Sequence, residues 1–334
     1  MTEKTWAIGI DLGGTKIEIA GVDENGSIMK RVRRETDVAG GADKVQTDII
    51  TAVREIMVTS GTRPAGIGVG MAGQIDPETG TVIFSPNLDW RDVPLRKNLS
   101  DRLGLPAVVT NDVRAAAWGE WLYGAGRGYD DIVCVFVGTG IGGGIVSRGD
   151  MLEGCTNTAG EIGHLTIDLN GPACHCPNHG CFEALAGGWA IARDARDAVA
   201  DDPAAGRAIL ALADGDAGNI TAKIVAEAAH AGDPLASKIF RGVGEALVAG
   251  CTSLVNAYNP CVLILGGGVI EGMPGLVTTV DAGVHGRALG AARSRLTVVS
   301  SGLHNDAGVV GAAAFALHSL IPFKNRQQDR GKIR

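Results

Sequence analysis

Apolar positions along the chain follow two alternating patterns. Short, nearly continuous apolar runs at 7–10, 17–22, 65–71, 107–110, 132–137 and 261–265 predict buried strands. Between them the spacing turns helical. Val45, Ile49, Ile50, Val53, Ile56 and Met57 recur at helical intervals across 43–59, and a helix over 113–121 follows the strand at 107–110. Residues 184–231 are alanine-rich and of helix-forming composition, 233–258 form a long amphipathic stretch, and a last helix covers about 307–320. One arrangement occurs twice: strand, glycine turn, strand. It runs through Gly13-Gly14 near the start and through Gly138 to Gly144 further on, where 145–147 resume as a strand. This weak internal duplication predicts two α/β lobes facing each other across a cleft, each presenting one glycine turn to the same ligand.

Composition narrows the class. The chain has 334 residues, 45% hydrophobic and 20% charged, enough apolar material for two domains without disulfides. Its net charge of -7 comes without a basic stripe, so nucleic acid is not an expected partner. The polar start runs directly into a strand, with no apolar signal region, which predicts a cytoplasmic protein. The apolar runs end after a handful of residues, against the roughly 20 that a membrane helix needs, so no membrane partner is expected. The 50 glycines fall in short bursts at strand ends, where phosphate-binding turns need them. Of the 7 cysteines, Cys174, Cys176 and Cys181 cluster, and in a reducing compartment that grouping points to a metal more than to a disulfide framework.

The first burst, Asp11-Leu12-Gly13-Gly14-Thr15-Lys16, sets a carboxylate at a strand end before two residues without side chains, a hydroxyl and a cation. Backbone N–H groups there can approach phosphate oxygens and Asp11 can hold the hydration shell of Mg²⁺; a ligand-free hairpin is the plainer alternative. The second burst contains Gly138-x-Gly140-x-x-Gly143, formally a dinucleotide fingerprint. Such a fingerprint must open a helix, whereas here a strand follows, which argues against a dehydrogenase. A third burst, Gly266-Gly267-Gly268, follows an apolar strand and reads either as a backbone surface for an adenine or ribose or as a strand-to-helix turn. Asp112, beside Asn111 where a strand gives way to a helix, is a candidate proton acceptor, although an Asn-Asp pair is equally an ordinary helix cap. Cys174-x-Cys176-x₄-Cys181 offers three thiolates, and His164, His175 or His179 can add an imidazole nitrogen.

Taken together these motifs resemble the ROK sugar kinases of the actin-like, hexokinase- and Hsp70-type ATPase superfamily, and among them the bacterial glucokinases. The resemblance covers nearly the whole chain and rests on Asp11-x-Gly13-Gly14-Thr15-Lys16, Pro86-Asn87-Leu88, Asn111-Asp112, Gly138-Thr139-Gly140-Ile141-Gly142-Gly143-Gly144, Ala159-Gly160-Glu161-Ile162-Gly163-His164 and Cys181-Phe182-Glu183. It implies a two-lobed α/β fold with an interlobe cleft, an N-terminal lobe over 1–113 with a C-terminal helix at about 306–322 packing back on it, and a C-terminal lobe over 114–305. It further implies that the first two glycine turns hold the phosphates of ATP, that Gly266 to Gly268 lie by the adenosine, and that Asp112 is the general base. Asn87, Asn111, Glu161, His164 and Glu183 would ring the sugar, with Asp112 among them. A structural zinc on His164, Cys174, Cys176 and Cys181 would shape the loop that carries Glu183; the family commonly has glycine where this chain has Pro177. The implied reaction is transfer of the γ-phosphoryl of Mg-ATP to the 6-hydroxyl of a hexose by a homodimer. Glucose is the first choice, on Pro86-Asn87-Leu88-Asp89-Trp90 and Glu161-x-x-His164, with N-acetylglucosamine or N-acetylmannosamine as the alternative. A non-catalytic, sugar-sensing regulator is the more remote one, since the sequence before Asp11 leaves no room for a helix-turn-helix.

Overall fold

The computed structural model describes residues 5–320; residues 321–322 of the last expected helix and the charged tail 324–334 lie outside the described residues. Two compact units form, one from 5–127, 154–157 and 305–320, the other from 128–153 and 158–304. The first therefore extends to 127, beyond the boundary at 113 expected from the sequence.

In the first unit, β1 (Trp6–Leu12), β2 (Lys16–Asp23) and β3 (Ile28–Glu35) lead into α1 (Gly41–Ser60) and β4 (Ile67–Met71). A small sheet of β5 (Gln74–Ile75), β6 (Val82–Ser85) and β7 (Trp90–Val93) precedes α2 (Leu95–Leu103), β8 (Ala107–Asn111) and α3 (Asp112–Leu122). The main sheet has the order β3-β2-β1-β4-β8, antiparallel among the first three strands and parallel from β1 onward. Val45, Ile49, Val53 and Ile56 of α1 are buried, the face that its helical spacing predicts. Together with Ile8, Ile10, Ile67 and Val69 they build the core of this unit.

The second unit repeats the plan. Here β9 (Ile132–Val137), β10 (Ile141–Ser147) and β11 (Asp150–Met151) precede a helical stretch of α4 (Phe182–Ala186), α5 (Gly188–Asp201), α6 (Arg207–Leu212), α7 (Ala222–His230) and α8 (Pro234–Tyr258). Then follow β12 (Val262–Gly266), α9 (Gly268–Gly272), α10 (Gly275–Arg287), α11 (Gly290–Arg293) and β13 (Thr297–Ser300). The sheet order β11-β10-β9-β12-β13, antiparallel then parallel, matches that of the first unit strand for strand. α8 begins at Asp233, whose side chain accepts from the Ala236 N–H at 2.8 Å, with Pro234 in the first turn, and it ends at Asn259 in the left-handed region, φ 48°. The last helix, α12 (Ala307–Leu320), belongs to the first unit, packing against β1, β4 and α3.

One expectation needs correction. The glycine turn read as 138–144 is only three residues long, because Gly142, Gly143 and Gly144 pair with Phe136, Val135 and Cys134 inside β10. Three glycines in a row erase the side-chain alternation by which a strand is recognised, while their backbones pair normally.

Candidate active site

In the first unit the candidate residues lie at the carboxyl ends of the parallel strands. The β1–β4–β8 register aligns Leu12 with Met71 and Met71 with Asn111, so Asp11 and the Asn111-Asp112 pair come to one edge of the sheet. That edge is where open α/β sheets bind ligands. Between β1 and β2 the turn closes by a bond from the Gly13 N–H to the Lys16 carbonyl at 3.0 Å, and Thr36 Oγ1 donates to the Gly13 carbonyl at 2.7 Å. A Cβ on Gly14 would lie 2.9 Å from the Asn87 carbonyl oxygen, so only glycine lets the loop after β6 reach the turn. Asn87 itself is exposed, held between Ser85, whose Oγ donates to the Ala72 carbonyl at 2.7 Å, and the buried side chains of Leu88 and Trp90. Behind the turn the buried Glu18 carboxylate meets Arg31 at 2.9 Å, Arg33 at 3.2 Å and Lys16 at 3.7 Å.

Asn111 and Asp112 divide two tasks. The cap of α3 is Asn111, whose Oδ1 accepts from the N–H groups of Val113 at 2.9 Å and Arg114 at 3.2 Å. Its oxygen is thus spent on the helix and its amide N–H₂ is what it can offer a ligand. Asp112 accepts from the Val113 N–H, at 2.9 Å, and burial raises its pKa against the lowering effect of the backbone N–H groups of Val113 and of Asp112 itself. A carboxylate fully committed to capping would have become a weaker base. The Asp11 carboxyl is pushed up to about 6, by burial first and then by the charge of Asp112, with Lys16 opposing and Glu18 adding to the rise. Two carboxylates of raised pKa, one of them raised in part by the charge of the other, suit a bound cation, which would relieve both.

This raised value has a consequence for stability. A carboxyl near 6 in the fold and 3.8 when free favours the folded state fully below about pH 4, and that contribution is lost as pH rises through 6. Asp11→Asn, which mimics the protonated acid, should therefore stabilise the ligand-free protein at pH 7 by up to roughly 3 kcal/mol and not at pH 4, where the wild-type carboxyl is already largely neutral. Urea unfolding at the two pH values measures this; equal effects at both would refute it.

In the second unit the three-residue turn between β9 and β10 is clamped from behind. Gly138, Thr139 and Gly140 have their carbonyls engaged by the N–H groups of Gly188, Trp189 and Gly138, each at 2.9 Å. Glu183 Oε2 accepts from the Ile141 N–H at 2.9 Å, and Glu183 Oε1 from Trp189 Nε1 at 3.0 Å. The segment carrying Glu161 and His164 packs onto β10: a Cβ on Gly163 would sit 2.0 Å from the Ile141 carbonyl oxygen, so any larger residue would lift the segment away. Both Glu161 and His164 have exposed side chains.

His164, Cys174, Cys176 and Cys181 come together, their four ligand atoms all within 4.8 Å of one another, whereas His175 and His179 lie outside the set. His164 Nδ1 is 3.8 Å from Cys174 Sγ, and the sulfurs of Cys176 and Cys181 are 3.6 Å apart. The edges of a tetrahedral zinc site with ordinary Zn–S and Zn–N bonds are about 3.5–3.8 Å, so the residues fit the metal. Burial pushes the Cys181 thiol up to about 12, a cost that an adjacent dication would reverse by stabilising the thiolate. The Asn178 backbone N–H, its largest influence, lowers Cys176. With Nδ1 toward the sulfurs, His164 has Nε2 for another partner.

Beside the turn a cavity of about 660 Å³ opens, lined by Gly138 and Thr139, by Trp189 and Arg196 of α5, by 220–223, and by Gly268, Val269 and Gly272. Of the third glycine burst, only Gly268 reaches this lining; Gly267, at φ 90°, makes the strand-to-helix corner, and Gly266 backs onto Phe136. The walls from α5, α7 and α8 went unread in the sequence, where those segments carry only helix-forming composition. Gly142 and Gly143 stand in β10, with Gly143 against Ile162.

The model of the ROK family matches residues 7–319. A glucokinase of Thermotoga maritima is 37% identical over 308 residues, which is 92% of this chain and 96% of that one. A ROK family glucokinase from Streptomyces griseus, solved with glucose and AMPPNP, superposes with a TM-score of 0.80 at 36% identity, covering 94% of this chain and 99% of that one. More distantly, the xylose repressor of Bacillus subtilis is 26% identical over 320 residues, 95% of this chain and 78% of that one.

Proposed function

The chain belongs to the ROK family, with its actin-like ATPase fold, and is an ATP-dependent sugar kinase; from that premise we propose that it moves the γ-phosphoryl of Mg-ATP to the 6-hydroxyl of glucose. The observation that carries the proposal is the division of labour at the start of α3, where Asn111 caps the helix and Asp112 is kept as a half-buried carboxylate of raised pKa. Phosphoryl transfer needs positioning, charge neutralisation and a proton acceptor, and little else. Asp112 takes the proton of the attacking hydroxyl. Asn87, the amide of Asn111, Glu161, His164 Nε2 and Glu183 hold the other hydroxyls. The N–H groups of the turns at 13–16 and 138–140 meet the phosphates, and the cavity beside Gly138 takes the adenosine. Asp11 would steady the magnesium carried with the nucleotide, which would supply the neutralisation of phosphate charge. Zinc on His164, Cys174, Cys176 and Cys181 would fill a closed four-ligand set, leaving no position for a catalytic water, so its contribution is to hold the loop and the His164 ring. Assembly as a homodimer follows from the family resemblance. Glucose in the complex of the Streptomyces griseus relative supports the choice of sugar.

Among the described residues no helix is long and apolar enough to cross a membrane. The test of the substrate is ADP release with Mg-ATP and, in parallel, glucose, mannose, fructose, N-acetylglucosamine and N-acetylmannosamine. Glucose is expected to give the highest kcat/KM and glucose 6-phosphate as product. Preference for an acetamido sugar would overturn the choice of glucose and keep the mechanism; silence with every sugar would favour a sensor of the repressor kind.

A further inference from the structure

His175 sits between two of the clustered cysteines yet stays out of their set. Its ring instead stacks on the indole of Trp189 at the start of α5, with centroids 4.0 Å apart and planes inclined by 23°. Arg193, one turn further along α5, holds its guanidinium carbon 5.1 Å from the same indole centroid and donates to the Ala184 carbonyl at 3.0 Å. Trp189 has three other engagements. Its backbone N–H holds the Thr139 carbonyl of the glycine turn, its Nε1 holds Glu183, and its side chain lines the 660 Å³ cavity. One residue thus touches the metal loop, the glycine turn, a proposed sugar ligand and the proposed nucleotide pocket, all within the second unit.

We infer that the His175–Trp189 stack couples the metal loop to the nucleotide pocket, so that a zinc-filled loop raises nucleotide affinity and Trp189 acts as a positioning residue for both Glu183 and the turn at 138–140. The inference rests on the reading that the cluster takes zinc and the cavity takes ATP. The turn that carries His175 is closed by the Cys174 N–H on the Asn178 carbonyl at 3.0 Å, and zinc on the flanking Cys174 and Cys176 would fix it further. An indole free to leave its stack would loosen the wall of the pocket and the hydrogen bond to Glu183. Coupling of this kind is reciprocal: nucleotide must protect zinc by the factor by which zinc strengthens nucleotide.

The experiment is calorimetric titration of Mg-ADP into the zinc-loaded wild type, zinc-loaded His175→Ala and His175→Phe, and the chelated wild type, with zinc content measured for each and zinc transfer to a chromophoric chelator followed with and without ADP. His175→Ala should retain one zinc per chain, bind ADP about three- to tenfold more weakly, and lose the protection of zinc by ADP. His175→Phe, which restores the stack without an imidazole, should recover both. Trp189→Phe keeps a ring for His175 and removes the donor to Glu183, so KM for the sugar should rise while ADP affinity holds. An His175→Ala protein with wild-type ADP affinity and undiminished protection of zinc would overturn the inference. A wild type that binds no ADP, or takes up no zinc, would instead sink the reading of the site and this inference with it.

Discussion

Replacing Asp112 by asparagine should lower kcat by a factor of about 10² to 10⁴, the range that a positioned general base contributes, with much smaller changes in sugar and nucleotide affinity. The substitution is nearly isosteric, and an asparagine oxygen can still accept from the Val113 N–H that Asp112 now engages at 2.9 Å. The helix start should survive because Asn111 caps it. What disappears is a carboxylate whose pKa is raised by burial, which makes it a better proton acceptor than an exposed aspartate. The sign of the pH dependence follows: wild-type turnover should fall as pH drops through the raised pKa of Asp112, and the residual rate of the variant should lack that limb. Pre-steady-state and steady-state rates across pH 5–8, with binding measured separately, test this. A variant within tenfold of wild type would remove Asp112 from the chemistry. Asn111→Ala provides the contrast: losing the cap should cost about 1–2 kcal/mol of stability without erasing the pH limb.

How far the sequence predicts this arrangement depends on how each element makes its burial known. β1, β2, β4, β8, β9 and β12 are legible because each is a buried apolar run. β3 is not, since Ile28-Met29-Lys30-Arg31-Val32-Arg33-Arg34-Glu35 is an edge strand with charges at five positions and only Val32 buried. The strands β5 to β7 are too short to show a period, and α2 buries only Leu95 and Leu99. β10 hides behind its glycines. Within the site, Asp11, Asn87, Asn111 and Asp112 are legible because a specific residue type is needed at a strand end or loop, and the structure brings them to one unit. The cavity is a different matter. Its walls come from helices whose sequence gives only amphipathicity, and Trp189 is an ordinary helical residue until the fold sets it against His175 and Glu183.

Loss of zinc should weaken the second unit and its sugar site together. The loop from 165 to 181 is held by backbone hydrogen bonds such as those from the Ile167 N–H to the Gly180 carbonyl and from the Cys174 N–H to the Asn178 carbonyl, but its regular pairing is limited to isolated bridges between Thr166 and Cys181 and between Ala173 and His179, and most of its side chains are exposed. Few apolar contacts are available to repay the entropy of ordering it. Cys174→Ser is the cleanest variant, because Cys174 is only half-buried, whereas Cys181 is fully buried and a serine there would add an unrelated desolvation penalty. Removing the metal, by this substitution or by a chelator, should cost roughly 3 kcal/mol, equivalent to a fall in Tm of roughly 6–12 °C for a unit of this size. KM for glucose should rise about tenfold or more as the ring of His164 loses its anchor, since that imidazole would then have to be ordered by the sugar alone. Differential scanning calorimetry with metal analysis, alongside steady-state kinetics, measures both effects. A zinc-free protein with unchanged Tm and KM would show that the four ligands converge without the metal's help, and the structural role would have to be abandoned.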